Sequence, residues 1–261
     1  MKEQDNDSKG LSRRKMLIGT GALAAGVAVT QLGGFIKPAI ATGSKAQKWP
    51  WPYKKLDPAK TAEICYNEWY RVFCGAAVIN SIFSQLGEKF GEPYTSFPAD
   101  AFVFLEGGQV GWGTICGSPA GANIVANLII GPRIADANEG HHMATDIMQW
   151  YSEAKLPTFM PKKRKISSTY PKTVSESPLC HISVGKWMKE ANKSLKSPER
   201  KERCARVAAS TAYRLVEMLN AWHDDDYEST SDFSAVREHG ITGQFNCMEC
   251  HTDDVPETPG A

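Results

Sequence analysis

Apolar positions between residues 59 and 86 recur at helical spacing: Ala62, Trp69, Phe73, Ala76, Ala77 and Phe83 share one face of a 3.6-residue repeat. Asp57 and Pro58 precede them, a capping side chain followed by a residue whose fixed φ suits a first turn, so a helix is predicted over 59–86. Gly75 is expected to dent this helix and "LGEKFGEPY" to close it. Next comes a stretch with glycines at 107, 108, 111, 113, 117 and 121, leading into an apolar helix over 120–130. Further helices are predicted over 139–151 and from the start signal in "SPLCHISVGKWMKEANK". The clearest helix is "SPERKERCARVAASTAYRLVEMLNAWHDDD": Ser197 caps it, Pro198 opens it, and Glu199 and Glu202 complement its N-terminal dipole. Residues 155–179 are rich in Pro, Ser and Lys and read as a surface loop. Residues 42–58, rich in Pro and Lys, read as an extended leader over the surface. No strand-type alternation longer than four or five residues appears, so the expected fold is mainly α, a helical domain with long irregular loops and a C-terminal tail. The polar tail after Asp226 has too few large apolar residues for a core of its own. It must fold around a bound group, against the helical body or against another subunit.

The chain has 261 residues and a net charge of +1, which makes no case for nucleic-acid binding. Its basic cluster, Lys162-Lys163-Arg164-Lys165, lies in a Pro-flanked loop and reads as solvated surface. The N-terminus is of another kind. Arg13-Arg14 stand before an apolar run from Leu17 to Ile36, and Ala39-Ile40-Ala41 forms an A-x-A cleavage site. Together these make residues 1–41 a cleaved twin-arginine signal peptide and imply the periplasm. The run is long enough to span a bilayer, but five glycines, two threonines and a glutamine make it a poor anchor. Twin-arginine export carries proteins already folded, often around a cofactor inserted in the cytoplasm.

Near the other end, "GQFNCMECHTDD" contains Cys247, Cys250 and His251 as C-x-x-C-H, the attachment sequence for haem c. Two thiols add across the porphyrin vinyl groups, and the adjacent imidazole reaches the iron from the same loop. A redox dithiol or half of a zinc site would share the spacing. Export and the lack of a second C-x-x-C to complete a zinc cage favour haem. A sixth ligand would be Met or a second His. Among the other histidines, His181 follows a cysteine and His223 lies among aspartates. His142, at the start of a predicted helix, and His239, in the same tail, remain alternatives, with His141 after them. Because haem is attached outside the cytoplasm, twin-arginine export points to a second prosthetic group.

Five cysteines are left: 65, 74, 116, 180 and 204. Two disulfides and a spare thiol would be the plain reading for an exported protein. The settings argue otherwise. Cys116 ends a glycine-rich turn before a helix, Cys180 sits at a Ser-Pro helix start, Cys204 lies in the first turns of another, and Cys74 precedes Gly75-Ala76-Ala77. Such positions favour thiolates and bound anionic clusters.

The segments "FCGAAVINSIFSQLG", "GGQVGWGTICGSPAGAN", "SPLCHISVGKWM", "ERCARVAASTAYRLVEMLN" and "NCMECH", in that order over roughly 60–251, resemble the split-Soret cytochrome c family. The body also resembles the wider group of redox-active proteins with a scattered C_GCAxxG_C_C pattern. The resemblance implies a homodimer with one haem c and one iron–sulfur cluster per subunit, the cluster expected as 2Fe–2S. It implies two haems in contact across the dimer, each iron held by two histidines, one of them from the partner subunit. On this basis Cys74, Cys116, Cys180 and Cys204 match the cluster cysteines, and Cys65 matches no position. The chain then divides into the signal (1–41), a helical iron–sulfur domain (42–225) and a C-terminal haem c-binding tail (226–261). The implied function is periplasmic electron transfer. A reductase with an open coordination site is the alternative, though no triad, paired carboxylates or nucleotide loop appears.

Overall fold

A computed structural model describes residues 49–131, 139–167 and 169–230. Residues 1–41, expected as a signal peptide, and His239, Cys247, Cys250 and His251 lie outside the described residues. The described elements are helix α1 (Pro58–Phe90), a 3-10 helix (Ala99–Leu105), α2 (Gly117–Ile129), α3 (Glu139–Glu153), α4 (Cys180–Ala191) and α5 (Pro198–His223). Extended pairing among them is limited to two isolated antiparallel bridges, Ile115–Leu179 and Leu156–Thr173. The fold is mainly α, as the periodicity implies.

Both long helices start where local chemistry directs. Asp57 Oδ1 accepts from the N–H groups of Ala59 (2.8 Å) and Lys60 (3.1 Å), and Ser197 Oγ accepts from that of Arg200 (3.2 Å). α1 continues past the expected stop at residue 86 to Phe90, where the N–H of Gly91 bonds Gly87 O. Its break is at Phe73 (φ 57°, ψ −162°), not at Gly75. Gly75 serves packing instead, since a Cβ there would lie 2.5 Å from Leu105 Cδ1.

α1 packs principally on α5 and α2, with α3 against α2. Ala62, Ala76 and Ala77 of α1 and Ala205, Ala208, Ala209 and Ala212 of α5 are fully buried. Small side chains there let the long helices approach closely, and Ile79, Ile82, Leu86, Leu215 and Leu219 fill the layer behind. The leader is extended but does not merely lie on the surface. Trp51 sits edge-on to Tyr94 and Phe97, Leu56 is buried, and Asn220 of α5 bonds Leu56 through both its N–H and its C=O. The 155–179 loop is exposed at Lys162–Lys165, yet its ends are buried at Leu156, Ser175 and Ser177. Glu202, read as favouring the helix N-terminus, is fully buried, with Oε2 accepting from Tyr66 (2.7 Å) and Tyr70 (2.5 Å).

Candidate metal centre

Four elements deliver one cysteine each. Cys74 follows the break at Phe73, Cys116 is the N-cap residue of α2, Cys180 is the first residue of α4, and Cys204 lies in the second turn of α5. Two local devices bring them together. The Ile115–Leu179 bridge is held by Cys116 N–H to Pro178 O (2.8 Å) and Cys180 N–H to Thr114 O (2.7 Å), which sets these two cysteines side by side. Gly117 and Gly121 then let α2 touch α1. A Cβ on Gly121 would lie 2.5 Å from Gly75 O, and one on Gly117 would lie 2.9 Å from Cys74 Cβ. Gly113 (φ 77°) completes the approach, since a Cβ there would meet that of His181 at 2.9 Å.

Cys74, Cys116, Cys180 and Cys204 line one cavity of about 490 Å³. Three of the four are buried and Cys180 is half-buried. Trp69 Nε1–H points at Cys74 Sγ (3.4 Å) and an Arg203 Nη1–H at Cys204 Sγ (3.9 Å). A hydrogen bond from Cys180 draws the Cys116 thiol down to about 6 against the effect of burial, helped by Tyr151, the N–H of Ser118 and the charge of Arg203. The same bond, then burial and the other sulfurs, pushes Cys180 up. Burial, then Cys116 and Cys204, pushes Cys74 up. Cys116 therefore ionises easily while Cys74 and Cys180 resist, so a full set of thiolates needs a cationic centre among them.

The donor set fits such a centre. Among the described residues no three His, Cys, Asp or Glu side chains close on one point as the ligands of a single ion do. The sulfurs stand around a larger volume, and four soft thiolates suit an iron–sulfur group. Ser118 Oγ and Arg203 Nε, both on the cavity wall, are buried without a hydrogen-bond partner. Donors left free beside sulfur are where a bound anionic group is stabilised.

The other candidates fall elsewhere. Cys65 is fully buried in the apolar core, where desolvation pushes its thiol up, and it does not line the cavity. His141 is exposed and His142 half-buried in the first turns of α3. Asp146, one turn beyond His142, is buried and accepts from Tyr227 OH, Ser229 Oγ (3.0 Å) and the Thr230 N–H (3.3 Å). The C-terminal segment is thus fastened to α3 where it begins. His181 lines the cavity while exposed, and His223 is exposed beside the Tyr53 ring. Sequence reasoning missed Trp69, Ser118, Tyr151, Ser183 and Arg203. Only Arg203 left a signal, a basic residue set beside a cysteine in the apolar run "RCARVAA".

Residues 73–218 match the family model described as "Putative redox-active protein (C_GCAxxG_C_C)". The split-Soret cytochrome c of Desulfovibrio desulfuricans is 34% identical over 255 residues, spanning 92% of this chain and 87% of that protein. A solved structure described as a novel iron centre in that organism's split-Soret cytochrome c shares the fold at a TM-score of 0.69. It is 33% identical and covers 78% of this chain and 91% of its own. This degree of identity over nearly the full length places the chain in the split-Soret cytochrome c family, and the match over its body places it among the C_GCAxxG_C_C proteins.

Proposed function

We propose that this protein is an exported, periplasmic electron carrier: a homodimeric c-type cytochrome with one haem c and one iron–sulfur centre of 2Fe–2S type per subunit. The observation that carries the reading is the convergence of four cysteines, from four separate elements, on one largely buried cavity. An iron centre in the solved relative, as its description states, supports it. Haem and iron–sulfur groups each take up and release single electrons, and the protein sets their potentials by ligand, burial and hydrogen bonds.

In this chain Cys74, Cys116, Cys180 and Cys204 would hold the iron–sulfur group, with Cys116 the thiol most readily ionised to start its capture. Trp69 donates to the Cys74 sulfur, which tempers its basicity, and the apolar side chains of Val184 and Val207 keep water from the wall. Cys247 and Cys250 would attach the haem and His251 would bind its iron. His142 is the first candidate for the opposite ligand, donated across the dimer, because a helix holds its ring direction and the haem-bearing segment enters at Asp146 one turn away. His239 and His141 are the alternatives. Dimerisation follows from the tail's composition: stacking two porphyrins across a two-fold axis removes apolar surface that the tail cannot cover. No described helix is long and apolar enough to cross a membrane.

The test is iron and acid-labile sulfide analysis of the purified haem-loaded protein. More than one iron per subunit with sulfide present is expected. Cys116→Ser should lose the additional iron and keep haem, and Cys65→Ser should keep both. One iron per subunit without sulfide refutes the iron–sulfur reading.

A further inference from the structure

Arg203 is 2% exposed, and among the described residues no carboxylate lies within ion-pair distance of it. A buried guanidinium without an anion is costly, and it cannot escape by losing its proton. Glu202, its neighbour in sequence, does not serve, because about 100° of helix rotation turns that carboxylate toward Tyr66 and Tyr70. What faces Arg203 instead is sulfur. Nη1–H points at Cys204 Sγ at 3.9 Å, Nε–H has no partner, and the residue lines the cavity of the four cysteines.

Its position is fixed from two other helices. Arg203 Nη2–H donates to Ser183 Oγ (2.7 Å) and Ser183 O (3.2 Å) on α4. The same Ser183 Oγ accepts from Tyr151 OH (2.9 Å) on α3. Ser183 and Tyr151 are both fully buried, so the fork is clamped on the side away from the cavity. Three helices thus combine to hold a permanent cation against the cysteine wall. Such an arrangement has no use in a core of neutral thiols.

We infer that Arg203 is a redox-tuning residue, a fixed positive charge clamped by Ser183 that raises the reduction potential of the group held by Cys74, Cys116, Cys180 and Cys204. The inference rests on the reading of this cavity as an iron–sulfur site. Reduction adds one electron, hence one negative charge, to a group already anionic through its thiolates. A nearby cation in a low-dielectric wall stabilises the reduced form more than the oxidised form. Salt screens the interaction little, because the pair is buried. Arg203 touches the ligand sulfur rather than the electron-accepting atoms, so it is a positioning residue.

The experiment is a redox titration of the non-haem iron, followed by electron paramagnetic resonance, in the full-length haem-loaded protein. The haem potential, read from the visible spectrum of the same sample, is the internal reference. Arg203→Gln should favour the oxidised centre at least tenfold, a fall of about 59 mV for one electron, while the haem potential stays in place. Arg203→Lys keeps the charge and should recover at least half of that shift. A Gln variant within twofold of wild type, a Lys variant that falls as far as Gln, or an equal movement of the haem potential overturns the inference. If the Gln variant takes up no additional iron, the Lys variant decides alone: loading with less than a threefold change supports the inference, and failure to load or a tenfold change overturns it. Wild-type protein lacking iron beyond its haem would instead sink the iron–sulfur reading itself.

Discussion

Gly121→Ala tests whether the contact between α1 and α2 is what holds Cys74 and Cys116 to one cavity. The added Cβ would sit 2.5 Å from Gly75 O and 2.8 Å from Gly75 Cα, both backbone atoms that cannot rotate away. Restoring ordinary contact near 3.4 Å moves α2 off α1 by about 0.9 Å at that point. Overpacking of this kind costs up to about 3 kcal/mol, and the better helix propensity of Ala returns about 1 kcal/mol. The net loss is about 2 kcal/mol, or roughly 4–8 °C in Tm for a chain of this size. Because Gly117 and Cys116 ride on the same helix, non-haem iron content should fall along with Tm. Gly185→Ala is the control: nothing lies within 4 Å of its Cβ position on α4, so it should gain up to about 1 kcal/mol. Thermal unfolding of the three proteins, with iron measured on each, decides the matter. A Gly121→Ala protein as stable as wild type would show that the helices separate freely and that this contact does not set the site.

Two further outcomes are expected. Asp100 receives both guanidinium nitrogens of Arg71 (2.6 and 3.1 Å) and the Asn80 amide (2.9 Å), which hold its carboxyl below the ordinary value and tie the 3-10 helix to α1. A depressed carboxyl contributes stability above its unfolded pKa and loses it as pH falls through the folded value. Asp100→Asn should therefore cost under about 1 kcal/mol at pH 7, this pair being largely exposed, and less as pH falls to 2; equal costs at both pH values in denaturant titrations would refute the ion pair. Among His142→Ala, His239→Ala and His141→Ala, the first should give an unsplit or high-spin Soret band and a weaker dimer by light scattering. Normal spectra and mass for that variant would move the ligand assignment to whichever of the other two changes them.

Features written into neighbouring residues were legible. The Asp57-Pro58 and Ser197-Pro198 starts needed only a side chain and the N–H groups beyond it, and each helix begins there. Features created by distant segments were not. The 3-10 helix at Ala99–Leu105 has an apolar sequence that gives no period, and its place is set by Leu105 lying against Gly75 and Gly117. Trp51 was obscured by the Pro and Lys around it, although its ring fills a gap between Phe83, Tyr94 and Phe97. Spacing alone does not separate Cys65 from Cys74, because both lie on one helix; the turn in the backbone at Phe73 is what carries Cys74 to the cavity and leaves Cys65 in the core. Beyond its place beside Cys204, nothing in the sequence of this helix marks Arg203 as facing the cavity; Ser183 of α4 and Tyr151 of α3 fix it there.

Several local costs lie on the wall of the cysteine cavity. Phe73, an aromatic residue at φ 57°, stores about 1–3 kcal/mol of backbone strain immediately before Cys74. Arg203 is buried without a carboxylate, Ser118 Oγ has no partner, and Cys74 and Cys180 are held in the protonated form. Elsewhere the alanines of α1 and α5 and the aromatic cluster at Trp51 are closely packed. A group that binds the folded cavity and not the unfolded chain offsets these costs by mass action. Filling the cavity and folding the body would then be one equilibrium, which suits a protein proposed to cross the membrane already folded. Tyr227, Ser229 and Thr230, at the start of the segment proposed to carry haem, bond Asp146 on α3. In the proposed reading, haem attachment on that segment would follow export and leave the cysteine cavity as it is, so the group in the cavity would be acquired first.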